Sequence, residues 1–186
     1  MKKQSTSQRH LILGGVKSGK SRQAETLAQA CSDEHGAQVT VIATATADDA
    51  EMQQRIARHK ASRNSHWCVV EEPVELGCAI QSIVASTTPS ATRHCIVVDC
   101  LTLWMTNLLV SGEEALIERE IAAFLEATRQ YSVDLIIVSN ETNLGVTPMG
   151  AMTRRFCDEI GILHQILGQE FDRVSLMVAG IALDIR

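Results

Sequence analysis

The stretch that most restricts the fold is residues 10–24, His-Leu-Ile-Leu-Gly-Gly-Val-Lys-Ser-Gly-Lys-Ser-Arg-Gln-Ala. Three apolar residues, Leu11 to Leu13, read as a short buried strand that runs straight into Gly14. From there Gly14, Gly15, Val16, Lys17, Ser18, Gly19, Lys20 and Ser21 match the pattern G-x-x-x-x-G-K-[ST] in full. Glycines let such a loop turn tightly and aim a cluster of backbone N–H donors inward, where phosphate oxygens are bound. The helix expected to open at Gly19 adds its positive N-terminal end. Lys20 reaches the terminal phosphates as a point charge, and the Ser21 hydroxyl is suited to Mg²⁺. A strand before the loop and a helix after it are the context in which this pattern marks a nucleotide-phosphate site.

The rest of the chain supports an α/β reading. Helix one is expected over about 19–30, followed by a turn at Asp33 to Gly36. Val39 to Ala43 is a nearly continuous apolar run, as in parallel strands buried on both faces. Thr44, Ala45 and Thr46 lie just past its C-terminal edge, where open α/β sheets bind ligands. Asp48 and Asp49 suit the start of a helix over about 49–63, which sets Met52, Ile56, His59 and Arg63 on one face. A short strand over Trp67 to Val70 and a helix opening at Pro73 follow, then a Ser/Thr/Pro loop over 86–92.

Cys95 to Val98 is a further buried strand closed by Asp99, the arrangement of a second nucleotide motif whose carboxylate supports Mg²⁺. The same Asp could cap the next helix or meet a base. An apolar helix or turn over 101–110 and an amphipathic helix over 113–130 come next. Leu135 to Val138 is a strand with Ser139, Asn140 and Glu141 at its edge. A helix over about 150–170, a strand over Val174 to Ala179 and a last short apolar segment complete the chain. Alternating strands and helices predict one domain over 10–186, a mainly parallel sheet with helices on both faces, after a frayed extension over 1–9. The polar residues at the strand ends converge on one crevice.

Charge and cysteine usage narrow the partners. Lys plus Arg number 17 against 22 Asp plus Glu, a net charge of −5, which argues against a nonspecific nucleic-acid binder. The most apolar stretch, 95–110, contains Asp99 and Asn107 and is too short to span a membrane. Six cysteines form no C-x-x-C pair and no zinc-spaced Cys/His cluster, so they read as small core residues in a reducing, cytoplasmic setting. The polar N-terminus does not read as a signal peptide. His10, His35, His66, His94 and His164 read as solvent or structural residues, with His35 and His94 in loops.

Taken together, these residues resemble the bifunctional adenosylcobinamide kinase/adenosylcobinamide-phosphate guanylyltransferase family of cobalamin biosynthesis. The likeness runs from 10 to 186 and rests on Gly-Gly-x-x-Ser-Gly-Lys-Ser-Arg at 14–22 and Ile-Ala-Thr at 42–44. It continues in Asp49-x-Glu51-Met52-x-x-Arg55-Ile56-x-x-His59-Lys60-x-x-Arg63, then Trp67, Glu71 and Pro73. Asp99-Cys100-Leu101-Thr102, Asn107-Leu108-Leu109, Ser139-Asn140-Glu141, Gly145-x-x-Pro148, Arg155-x-x-Asp158-x-x-Gly161 and Gln165 extend it. Asn143 stands where the family often has Gly, and His164 where it often has Asn.

The resemblance implies a chain that phosphorylates adenosylcobinamide, then transfers GMP from GTP to the product and releases pyrophosphate. It implies ATP and GTP as substrates and a homo-oligomer, a trimer. It also implies a GMP–histidine intermediate at His59, with Lys60, Arg63 and Glu71 among the nucleotide-binding residues. A neutral imidazole is a competent nucleophile for that step, and Lys60 and Arg63 can offset phosphate charge. Read without the resemblance, His59 is first a helix residue packed beside Met52 and Ile56. A plain small-molecule kinase and a nucleotide-dependent switch are the rival readings.

Overall fold

The computed structural model describes residues 7–46, 66–86 and 93–186. Along these run β1 (Arg9–Gly14), α1 (Lys20–His35), β2 (Gln38–Ala43), β3 (Cys68–Glu71), α2 (Leu76–Ala85) and β4 (His94–Asp99). They are followed by α3 (Leu101–Ser111), α4 (Glu114–Gln130), β5 (Asp134–Val138), α5 (Ala151–Glu170), β6 (Arg173–Val178) and β7 (Ile181–Asp184). The helix expected over 49–63, with His59, Lys60 and Arg63, lies outside the described residues.

The strands form one sheet in the order β3-β2-β4-β5-β1-β6-β7, parallel throughout except for the β6–β7 pair. Successive strand residues point to opposite faces, which sorts the apolar runs into two cores. Leu11, Leu13, Ile96, Val98, Leu135 and Ile137 pack with residues of α2, α3, α4 and α5, around Trp104 and Phe124. Ile12, Val39, Val41, Val97, Ile136 and Val138 pack with Ala24 and Ala28 of α1. Both faces of the central strands are therefore covered, as continuous apolar runs require.

Several boundaries differ from expectation for local reasons. The first helix does not turn at Asp33 but continues to His35, where Gly36 (φ 64°) caps it and donates its N–H to the Ser32 carbonyl. A left-handed glycine, rather than a polar cluster, is the effective stop signal. Pro73 does not open α2, which begins at Leu76. The Glu72 carboxylate holds the intervening turn by accepting the N–H groups of Val74 and Glu75. Arg9, placed in the extension by its polarity, is the first residue of β1. His35 ends α1 and His94 starts β4, so neither is in a loop. Cys95 and Cys100 are core residues, whereas Cys68 and Cys78 are exposed. The last apolar segment is the antiparallel edge strand β7, joined to β6 by the two-residue turn Ala179-Gly180 (φ 52° and 82°). Positive φ at both turn residues gives the hairpin twist that matches its strands.

A polar chain crosses β1, β6 and β7. His10 Nε2 shares a 2.7 Å hydrogen bond with Ser175 Oγ, whose hydroxyl donates to Asp184 Oδ1. Burial, aided by the Arg173 guanidinium, pushes the His10 imidazole down from 6.5 to about 4, with Asp184 opposing. The folded chain thus holds this ring neutral where the unfolded chain protonates it. Its contribution is complete above pH 6.5 and is lost as pH falls from 6.5 toward 4. After allowance for solvent screening, the loss should be about 1–3 kcal/mol. Urea melts at pH 7.5 and 4.5 check this: His10→Gln, which cannot titrate, should lose less stability on acidification than the wild type. Equal losses would place the acid sensitivity elsewhere.

Candidate functional site

Four strands that are neighbours in the sheet, β2, β4, β5 and β1, bring Thr44, Asp99, Ser139 and Gly14 to the same C-terminal edge. That is the crevice in which open parallel sheets bind ligands.

The loop between β1 and α1 has the backbone its glycines permit. Gly14 has φ 152°, and a Cβ there would lie 2.7 Å from both the Met177 carbonyl oxygen and Ser18 Oγ. Gly19, at φ 100°, is the N-cap of α1, and a Cβ would meet Gly180 Cα at 3.3 Å. The Ser18 carbonyl accepts the Gly180 N–H at 3.0 Å. The β6–β7 turn thus props the loop from the side, a contact with no local sequence signal.

Lys20 is buried, with Nζ donating to the carbonyls of Gly14 (2.9 Å) and Gly15 (2.7 Å). Burial lowers its pKa, while Cys100 and Asp99 pull the other way. Asp99 is therefore close enough to act on the lysine electrostatically. Ser18 Oγ is buried and has no hydrogen-bond partner among the described residues. An orphaned hydroxyl is costly unless a ligand satisfies it. Gly15, Val16 and Lys17 are exposed, and Ser21 is half-buried in the first turn of α1.

Thr44 is fully buried, and its hydroxyl is committed. It donates to the Cys100 carbonyl at 2.7 Å and accepts the Cys100 N–H at 2.9 Å, fastening the ends of β2 and β4 together. Asn107 of α3 extends this seam by donating to the carbonyls of Thr44 (2.8 Å) and Pro73 (3.0 Å). Ala45 and Thr46 follow, half-buried. Glu71 ends the outermost strand, β3, and is exposed. The structure brings the loop, Thr44 and Asp99 to one edge of the sheet; Glu71 ends the edge strand β3, in register with Ala43 and far from the loop-bearing β1. His59, Lys60 and Arg63 are outside the described residues.

Two further contacts lie beside the loop. The Glu141 N–H donates to the Gly14 carbonyl at 3.0 Å. His164 of α5 shares a 2.7 Å hydrogen bond with the buried Ser139 hydroxyl. Burial lowers the His164 pKa, opposed by the charge of Glu141. Neither role is readable from residue spacing, because each depends on a partner far along the chain. Among the described residues, no helix is long and apolar enough to cross a membrane.

Comparison with known proteins agrees with this arrangement. The model of the family described as "Cobinamide kinase / cobinamide phosphate guanyltransferase" matches residues 10–185. The bifunctional adenosylcobalamin biosynthesis protein CobP of Pseudomonas aeruginosa is 44% identical over 178 residues, covering 96% of this chain and 97% of that protein. The bifunctional adenosylcobalamin biosynthesis protein CobU of Salmonella typhimurium is 33% identical, covering 95% of this chain and 98% of that protein. The fold is similar to that of a solved ATPase domain, with a TM-score of 0.52 at 16% identity, over 91% of this chain and 68% of that one. On the family match and these near full-length relatives, the chain belongs to the cobinamide kinase/cobinamide phosphate guanyltransferase family.

Proposed function

We propose that this protein carries out two successive steps of cobalamin biosynthesis. It phosphorylates the aminopropanol hydroxyl of adenosylcobinamide with a nucleoside triphosphate. It then transfers GMP from GTP to adenosylcobinamide phosphate, giving adenosylcobinamide-GDP and pyrophosphate. The observation that carries the reading is a phosphate loop with an orphaned Ser18 hydroxyl and a poised Lys20, within a chain matched to the family over residues 10–185. ATP and GTP are the proposed nucleotides, Gly14 to Ser21 their phosphate site, and His59 the residue that carries GMP. The assignment of Lys60, Arg63 and Glu71 to nucleotide binding rests on the resemblance, and that of Thr46 on its place just past the C-terminal edge of β2. A homotrimer in the cytoplasm is part of the same proposal.

Mg²⁺ fits the donor set near the loop, a hydroxyl from Ser21 and a carboxylate from Asp99. Among the described residues, no group of three or more His, Cys, Asp or Glu side chains could hold a metal ion by itself. Few protein oxygens suit a cation that keeps several waters and arrives with nucleotide phosphates. When bound, Mg²⁺ would supply neutralisation of the phosphate charge.

GTP labelled at the α-phosphate, followed by intact-protein mass measurement, tests the guanylyl step. The mass should rise by one GMP, and added adenosylcobinamide phosphate should discharge it. Acceptor phosphorylation without pyrophosphate release would leave a plain kinase. Nucleotide hydrolysis with no phosphorylated acceptor would leave a switch.

A further inference from the structure

Phosphorylating an alcohol leaves a proton to be removed, and loop, lysine and metal ion offer it no acceptor. The acidic residues at the C-terminal edge of the sheet can be sorted by strand position. Strands lie about 4.8 Å apart, so β5 is about 5 Å from the loop-bearing β1, β4 about 10 Å and β3 about 19 Å. Glu71, at the end of β3, is remote. Asp99, at the end of β4, would hold Mg²⁺ on the proposed function. Glu141 follows β5, next to the loop.

Its backbone is locked there. The Gly14 carbonyl accepts both the Glu141 N–H (3.0 Å) and Lys20 Nζ (2.9 Å), so these two nitrogens are no more than about 6 Å apart. Its side chain is aimed as well. Oε1 accepts the Asn143 N–H at 2.6 Å, and Asn143 Nδ2 in turn donates to the Cys157 carbonyl of α5 at 3.2 Å. That side chain occupies a niche left by Gly161, where a Cβ would lie 2.4 Å from Nδ2. One turn further along α5, His164 grips Ser139 and senses the Glu141 charge. Helix α5 thus braces the segment 139–143 at two points, and among the described residues no hydrogen bond is made to the second oxygen of the half-buried Glu141 carboxylate.

We propose that Glu141 is the general base of the phosphoryl transfer, with Asn143 as its positioning residue; this rests on the kinase reading above. The acceptor hydroxyl oxygen attacks the γ-phosphorus and forms the new P–O bond. The bond from that phosphorus to the β–γ bridging oxygen breaks, and the nucleoside diphosphate leaves with the electron pair. The hydroxyl proton passes to the Glu141 carboxylate and later to solvent.

Steady-state phosphorylation of adenosylcobinamide tests the assignment. Glu141→Gln should lower kcat by roughly 100-fold or more, the usual contribution of a positioned base. Its nucleotide KM and thermal midpoint should stay near those of the wild type. Glu141→Asp should recover part of the rate, and formate should partly rescue Glu141→Ala by supplying a carboxylate. Asn143→Ala should lower kcat about tenfold with nucleotide KM unchanged. Glu141→Gln with a kcat within tenfold of wild type overturns the proposal. Restoration of Glu141→Gln by excess Mg²⁺ also overturns it, since the carboxylate would then be a metal ligand. Wild-type protein unable to phosphorylate adenosylcobinamide would overturn the kinase reading and this assignment together, whereas an active wild type with an equally active Glu141→Gln overturns this assignment alone.

Discussion

Replacing Lys20 by Ala should lower adenosylcobinamide phosphorylation by on the order of 1,000-fold, the scale set by removing one preorganised cationic donor. Lys20 Nζ donates to the carbonyls of Gly14 and Gly15. Those acceptors are uncharged, and burial already disfavours the ammonium. Phosphate oxygens carry full negative charge, so exchanging carbonyls for phosphates strengthens every bond the lysine makes. The gain grows as charge spreads over the transferring phosphoryl group. Because the alanine variant also frees two loop carbonyls, Lys20→Gln serves as a control that can still donate to them. Both variants should keep a cooperative thermal transition while losing turnover. Undiminished phosphorylation in both would remove the loop lysine from the mechanism.

His59→Ala should abolish the GMP adduct and lower guanylyl transfer by roughly 1,000-fold or more, the scale seen when a covalent nucleophile is removed. On the proposed mechanism an unprotonated ring nitrogen of His59 attacks the α-phosphorus of GTP, the bond to the β-phosphate oxygen breaks, and pyrophosphate leaves. The phosphate oxygen of the acceptor then displaces the imidazole. Lys60 and Arg63, one and four positions on in the sequence, are the cations proposed to offset the phosphate charge. The phosphoramidate is labile in acid and stable in base, which distinguishes it from a phosphate ester in the mass measurement. Measurable kinase activity should remain, because phosphoryl transfer to the alcohol does not use this ring. An adduct that persists in His59→Ala would mean that another residue is the nucleophile.

How much was legible in advance varied with the range of the interaction involved. The strands at Leu11, Val39, Cys95, Leu135 and Val174 were readable because continuous apolar runs between polar turns have few other uses. Their ends moved by a residue or two, as at Arg9 and His94, because hydrogen-bond register with a neighbour decides where a strand starts. Its place at a strand edge reads Thr44 as a ligand contact; its hydroxyl is bonded to the Cys100 backbone, fifty-six residues away, which no local pattern encodes. The neighbours of His94 read as a loop, yet it starts β4 and is buried, with both ring nitrogens lacking a hydrogen-bond partner among the described residues.

The sequence by itself determined the phosphate loop, the strand and helix on either side of it, and a mainly parallel sheet. Each of these follows from residues adjacent in the chain: glycine conformational freedom, helical periodicity, unbroken apolar runs. Only the tertiary structure decided that β5 lies between β4 and β1, because several buried strands present interchangeable apolar faces and any could have paired there. That choice sets Glu141 against Gly14 and Ser139 beneath His164. Likewise only the β6–β7 turn brings Gly180 to Ser18, and only the approach of α5 gives Asn143 its niche at Gly161. A hydrogen bond needs its donor and acceptor within about 3 Å. For partners this far apart in sequence, that separation is set by strand order and helix packing rather than by any spacing along the chain.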